Sequence, residues 1–493
     1  METERLTTAR ARPAIEWIRL NRLCRHAWPA LLAIALSAAP ARAEGIAWAG
    51  LDEAEQRLVT RLLASEHWPI RAFAMMRLER YAGPEVETML RARLADESWQ
   101  ARCFALRTAY RMGVGLAAAD LVDESDARVI RTALRCGVPV DPERLERGAR
   151  TLMRSGSVDD LLLGLEIAGA SENEAIRREA TRRTKNLFRN VNEAGLLRIS
   201  RRLARVVGLE KEPESVAAWL AWFEETQGRI ELAAPGARPP RSGPPLVAAM
   251  DAETFSRLLD YLGALKERHL EVAVVMDATT SMEPMINEAR AGVERLILFL
   301  ADISRTMRLA FIAYRDHDNP PVWEGERFTT DIDAIRQFLF GLRITGGRDL
   351  PEAVLEGLTA CGRLDWTPEA THQIVLVGDA RPHEEDEYRI VGLLESFREA
   401  GIVVHAVHVP QRLDPGMSAT VAPEFLEAYR RQVAEHNPLT ARAFAEIARL
   451  GGGDMVTLED SADLVPSIMH LTIEQDWWPP FDQFYDLYLD LCR

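Results

Sequence analysis

The stretch Leu270-Glu271-Val272-Ala273-Val274-Val275-Met276-Asp277-Ala278-Thr279-Thr280-Ser281 decides the fold. Its first seven residues are a short, β-branched, largely apolar run of the length expected for a strand buried on both faces. The run stops at an acid followed by two hydroxyls at alternate positions, Asp277, Thr279 and Ser281. Side chains two residues apart in an extended loop project to one side. Three oxygens therefore converge at the carboxyl end of a strand.

Runs of the same kind recur downstream at Arg308–Tyr314, Gln373–Val377, Val403–Val409 and Met455–Leu458. Amphipathic stretches alternate with them: Glu283–Leu300, Pro351–Leu358, Tyr388–Ala400, Phe444–Leu450 and a last helix from Ser461. Continuous apolar strands alternating with helices predict an α/β, doubly wound parallel sheet of Rossmann-like type. In such sheets ligands bind beyond the carboxyl ends of the strands, where the strand order reverses. Residues 410–442, rich in Pro and in acid–base pairs, read as an insertion before the last helices.

The oxygens at that edge suit a hard cation. Mg²⁺ takes oxygen ligands in an octahedron and keeps several waters, so few protein ligands suffice. A second acid follows the third strand in Gly378-Asp379-Ala380-Arg381-Pro382-His383. A third loop, Thr345-Gly-Gly-Arg348-Asp349-Leu-Pro351-Glu352, offers Thr345 and Asp349, and Asp349 serves equally as a helix cap. Tyr314-Arg315-Asp316-His317-Asp318 reads as a strand-exit loop with a local ion pair, and Glu384-Glu385-Asp386-Glu387 as a solvated first helical turn. A triad of Ser281, His383 and Asp379 lacks the G-x-S-x-G elbow of a hydrolase.

Four motifs in order, Asp-Ala-Thr-Thr-Ser-Met at 277, Ala-Tyr-Arg-Asp-His-Asp at 313, Thr-Gly-Gly-Arg-Asp-Leu-Pro-Glu at 345 and Gly-Asp-Ala-Arg-Pro-His at 378, resemble the von Willebrand factor A (VWA) domain. They look like the branch found beside alpha-kinases and in many bacterial secreted proteins. The resemblance covers about residues 270–473. It implies a metal-ion-dependent adhesion site, with Asp277, Thr279 and Ser281 holding Mg²⁺ or Mn²⁺ and Asp379 as a further acidic ligand. Thr345 and Asp349 are candidates for the remaining ligand. It also implies that a partner protein's exposed carboxylate fills an open metal position. Arg348 and Arg381 stand where this branch often has Gly and Pro. Guanidinium pairs bidentately with carboxylate, so both are expected to reinforce an acidic partner.

Upstream, residues 46–228 read as an all-α region. Trp68-Pro-Ile-Arg71-Ala72-Phe73-Ala74-Met75 matches Trp99-Gln-Ala-Arg102-Cys103-Phe104-Ala105-Leu106, 31 positions on, with a weaker copy at 123–130. A period of this size indicates stacked helix pairs, and the pattern resembles HEAT repeats. A Pro/Gly-rich linker at 229–247 separates it from an expected VWA domain at 248–475, which a helix at Ala252–Glu267 opens. The tail, 476–493, spaces Phe481, Phe484, Tyr488 and Leu491 as one face of a helix, which predicts docking on the chain itself.

The N-terminus carries Arg10, Arg12, Arg19, Arg22 and Arg25, an apolar run from Ala27 to Ala39, and Ala41-Arg42-Ala43. That order predicts a signal peptide over 1–43, cleaved before Glu44, and a periplasmic or secreted product. The chain has 493 residues, too many for one core. Its net charge of −15 argues against general nucleic-acid binding and suits divalent cations. Beyond the signal, Cys103, Cys136, Cys361 and Cys492 form no C-x-x-C, and single thiols are expected. The whole predicts an exported, metal-dependent adhesion or assembly protein and not an enzyme. Two alternatives remain open: a metal-assisted hydrolase, and a scaffold whose metal site is vestigial.

Overall fold

The computed structural model describes residues 45–492 apart from 156, 192, 211–212, 214, 227–229, 238–239, 241–242, 347–350, 413–422 and 459. The expected signal segment, and Arg348 and Asp349, lie outside the described residues.

Six strands form the sheet: β1 (His269–Asp277), β2 (Thr306–Tyr314), β3 (Trp323–Thr329), β4 (Thr371–Gly378), β5 (Ile402–His408) and β6 (Gly452–Thr457). Their order is β3-β2-β1-β4-β5-β6. The apolar runs named above are its centre: Val275 pairs with Ile312 on one side and Leu376 on the other. The winding reverses between β1 and β4; β1 ends there in Asp277, and Asp379 directly follows β4. Topology alone thus brings residues about a hundred apart in sequence to one crevice.

Three expectations need correction. The sheet is not wholly parallel, because β3 runs antiparallel to β2 along the edge. Glu324, Glu326 and Arg327 hide β3 from a search for apolar runs, and such charges are usual on an edge strand. The last strand, expected from Met455, begins three residues earlier at Gly452. A Cβ on Gly453 would lie 2.4 Å from the Val404 carbonyl oxygen, so the strand can approach β5 only with glycine there. Most of the expected insertion is helix, Pro423–Leu450, with Pro438 inside it. A proline removes one helical hydrogen bond without ending a helix that packing holds in place. Its buried face runs Leu426, His436, Thr440, Phe444 and Ile447, and the polar members conceal the period.

The upstream region is helical, and its repeat has a physical basis. The helices Trp68–Leu78, Trp99–Met112 and Ala127–Arg135 each follow a short turn. Arg71 crosses to Asp96 in the next turn at 2.7 Å, and Arg102 crosses to Glu124 in the turn after that at 2.7 Å. Each guanidinium also donates to its own turn, Arg71 to the Ser65 and Glu66 carbonyls and Arg102 to that of Asp96. The equivalent arginine therefore ties each unit to the next.

Gly243, Val247, Ala248 and Met250 of the connecting segment offer carbonyls to Arg77, Arg80 and Arg107 of the helical region. The tail is the helix Trp478–Cys492, wedged between the two regions. Phe484 stacks on Phe73 at 4.4 Å and Phe104 at 5.2 Å, with Phe299 of the sheet region 6.0 Å away. Arg135 pairs with Asp490 at 2.8 Å, and Tyr488 donates to Asp302 at 2.7 Å. One apolar cluster consequently runs from Trp48 through Phe299 to Cys492. None of the four cysteines among the described residues forms a disulfide; Cys136 is partly exposed and the others are buried.

Removing the fully buried Phe484 ring leaves a cavity shared by both regions. Phe484→Ala is expected to cost about 3–5 kcal/mol in urea unfolding. Far-UV circular dichroism and tryptophan fluorescence should shift together. Separate transitions would show that the tail does not couple the regions.

Candidate metal centre

The site is built from the last residue of β1 and the loops beside it. Asp277 is fully buried, and its Oδ1 accepts the Thr279 backbone N–H at 2.8 Å. Its Oδ2 is also buried and has no hydrogen-bond partner. Thr279 is buried, and its hydroxyl lies 3.3 Å from that of Ser281, which is exposed at the rim. Asp379, 2% exposed, lies beside Asp277, Ser281 and Gln411, each of which acts on its carboxyl. The four residues first singled out thus meet at one spot.

Burial raises the Asp277 carboxyl well above the ordinary carboxylate range, and the neighbouring Asp379 charge raises it further. Burial raises Asp379 as well. Neither carboxylate forms an ion pair with Arg or Lys among the described residues. Without a cation, burial and mutual repulsion favour a proton on the pair. An orphaned buried oxygen, two acids of raised affinity for protons and two hydroxyls fit a hard divalent ion. Cysteine is absent from the group, and the nearby His436 imidazole donates its Nε2–H to the Asp379 carbonyl, with the Thr440 hydroxyl 3.0 Å from the same nitrogen. That donor set does not suit a soft metal.

The third loop reaches the same place. Thr345 donates its N–H to the Ala278 carbonyl at 3.3 Å, and the Thr280 hydroxyl donates to the Gly346 carbonyl at 3.0 Å. Thr345 itself is exposed. Thr280, Asp318, Asn319, Ile344, Thr345 and Gly346 line a recess of about 560 Å³ at this rim. Arg381 pairs with Glu384 at 2.8 Å, in a part-exposed contact.

Several residues that support the site carried no motif. Tyr314, the last residue of β2, is buried with its hydroxyl unpartnered beneath Asp277. A Cβ on Gly378 would lie 2.5 Å from that hydroxyl, so glycine is required beside the acid. His436 contacts the Asp379 carbonyl at 3.1 Å from the long helix, holding the loop from behind. The Glu352 N–H donates to the Arg381 carbonyl at 3.0 Å and joins the third loop to the second. The exit loop after β2 is not locally paired as expected: buried Arg315 reaches Glu324 and the Arg343 carbonyl, and Asp316 reaches His383.

Raised acids bind more protons folded than unfolded, so this pair makes stability fall as pH rises above the ordinary carboxylate range near 4. Asp277→Asn removes that cost. Metal-free Asp277→Asn is expected to melt higher than the metal-free wild type at pH 7, with the difference shrinking toward pH 4. A lower melting temperature at pH 7 would contradict this electrostatic account.

Residues 271–460 match the family model described as von Willebrand factor A domain. Among curated proteins, the chain is 27% identical over 120 residues to an ariadne-like RING finger protein of Acanthamoeba polyphaga mimivirus, covering 24% of this chain and 12% of that one. It is 27% identical over 120 residues to the alpha-protein kinase vwkA of Dictyostelium discoideum, covering 23% and 19%. The match thus spans under a fifth of either relative's length. Similar solved structures include the pilus adhesin SpaC of Lactobacillus rhamnosus GG, at 11% identity, TM-score 0.30, and 44% and 30% coverage. Another is the SpRpn10 VWA domain, at 11% identity, TM-score 0.28, and 40% and 94% coverage. The family match, the reversed strand order and the acid–hydroxyl cluster at its crevice identify residues 271–460 as a von Willebrand factor A domain.

Proposed function

We propose that this chain is an exported, metal-dependent binding protein that captures an acidic residue of a partner protein in adhesion or assembly. The observation that carries the reading is the orphaned Asp277 Oδ2, buried beside a second acid with no Arg or Lys paired to either among the described residues. Asp277, Thr279, Ser281 and Asp379 would hold Mg²⁺ or Mn²⁺, with Thr345 at the rim and Asp349 a candidate by its place in the sequence. When bound, such an ion supplies positive charge and an open coordination position for a partner carboxylate.

The chain's own residues prepare the site. Thr279 holds Asp277 Oδ1 through its backbone N–H, and the Ser281 hydroxyl lies between Thr279 and the Asp379 carboxyl it acts on. The shortage of His and of several directly presented carboxylates separates this group from hydrolytic metal sites. Arg381 is held only by an exposed local pair, worth little, and is available to swing onto an incoming carboxylate. Arg348 would add to it from the third loop. The arginine-tied helical units, HEAT-like in their period, present a second protein-contact surface. A signal peptide over 1–43, a helical domain over 46–228, a linker over 229–247 and the metal domain over 248–475 complete the proposed layout.

Calorimetric titration of the full chain with Mg²⁺ tests the reading. One equivalent should bind to the wild type, and Asp277→Ala or Asp379→Ala should abolish the heat. Envelope proteins retained on immobilised chain in Mg²⁺ should be released by chelator and be absent from an Asp277→Ala column. Silence in the wild-type titration would leave a scaffold with a vestigial site.

A further inference from the structure

A second group of metal-ligating side chains stands at the same sheet edge and takes no part in the Asp277 cluster. Asp316 and His317 leave β2, His383 lies in the loop beyond β4, and Glu356 lies on the helix Val354–Cys361. The ligand atoms of Asp316, His317 and His383 all lie within 4.8 Å of one another. His383 Nε2 is 2.8 Å from Asp316 Oδ1, and the two imidazole rings stack at 4.9 Å. His317 Nε2 is 3.2 Å from Glu356 Oε1, and Glu356 Oε2 is buried without a hydrogen-bond partner. His317 also groups with Glu356 and Asp386, a buried acid that Arg389 pairs at 3.0 Å. Asp386 therefore does not belong to a solvated turn.

We infer that Asp316, His317, His383 and Glu356 form a second metal site, for a borderline cation of the Zn²⁺ class. Two imidazoles and two carboxylates are the donor set that such ions prefer, whereas the Asp277 cluster offers oxygen alone. Donors at about 2.0–2.2 Å from a tetrahedral ion stand about 3.3–3.6 Å apart. The observed separations, 2.8 and 3.2 Å for two of the pairs and within 4.8 Å among Asp316, His317 and His383, lie on either side of that spacing. Zn²⁺ here would clip three segments together: the exit from β2, the Asp379 loop, which reaches His383 four residues later, and the helix behind them. The half-exposed face of His317 gives the ion a route from solvent. Ion pairs alone leave the buried Glu356 Oε2 unexplained.

The test uses the full chain, stripped with chelator and held in excess Mg²⁺, with Co²⁺ as the visible probe. Wild type and Asp277→Ala should both develop the ligand-field bands of a four-coordinate site at one equivalent, and Zn²⁺ should bleach them. His317→Ala should weaken binding at least ~10-fold, as losses around metal sites do, and His383→Ala likewise. His317 is half exposed, so its variant keeps the fold and decides the matter alone if His383→Ala does not. No band in the wild type overturns the inference, as does an unaltered band in His317→Ala. Loss of the band in Asp277→Ala also overturns it, because Co²⁺ would then occupy the first site.

Discussion

Two acids, Asp277 and Asp379, face each other under the surface with no Arg or Lys paired to them among the described residues. That repulsion is the constraint on which the site depends. Folding brings it about, because β1 and β4 are neighbours at the point where the winding reverses. Apolar pairing along both strands, such as Val275 against Leu376, supplies the favourable free energy that holds the acids in place. A protein gains nothing in stability from such a pair by itself. A proton or a cation must sit between the two, and the hydroxyls of Thr279 and Ser281 bias the choice toward a cation that prefers oxygen.

The surroundings restrain the crevice from several directions. The Tyr314 ring fills the space beneath Asp277, and Gly378 leaves room for it. His436 backs the Asp379 loop, and Glu352 and Arg381 join the loops by their backbones. Further away, the tail helix packs Phe484 between Phe73, Phe104 and Phe299. The sheet domain is thereby fastened to the arginine-linked helical units. No helix among the described residues is long and apolar enough to cross a membrane.

Much of this was legible in the sequence where local chemistry dictates it. The β-branched runs of β1, β2, β4 and β5 give the sheet. The alternating Asp277, Thr279 and Ser281 are contiguous, so one glance places three oxygens together. Asp379 was recoverable because it follows the same kind of strand. The tail's aromatic spacing indicated its buried face. Residues whose roles arise only from tertiary contact were not legible. Tyr314 looks like the end of any strand, and His436 reaches the site from a helix whose polar buried face and internal Pro438 disguised it. The edge strand β3 carries charges that read as loop. Asp316 and His383 are 67 residues apart, and no local pattern announces their 2.8 Å contact.

The most direct measurement is an anomalous difference map from crystals of the full chain grown with Mn²⁺. The account predicts a peak bounded by Asp277, Ser281 and Asp379, with Asp277 Oδ2 turned onto it. Well-ordered acids that still face each other with no peak between them would contradict it.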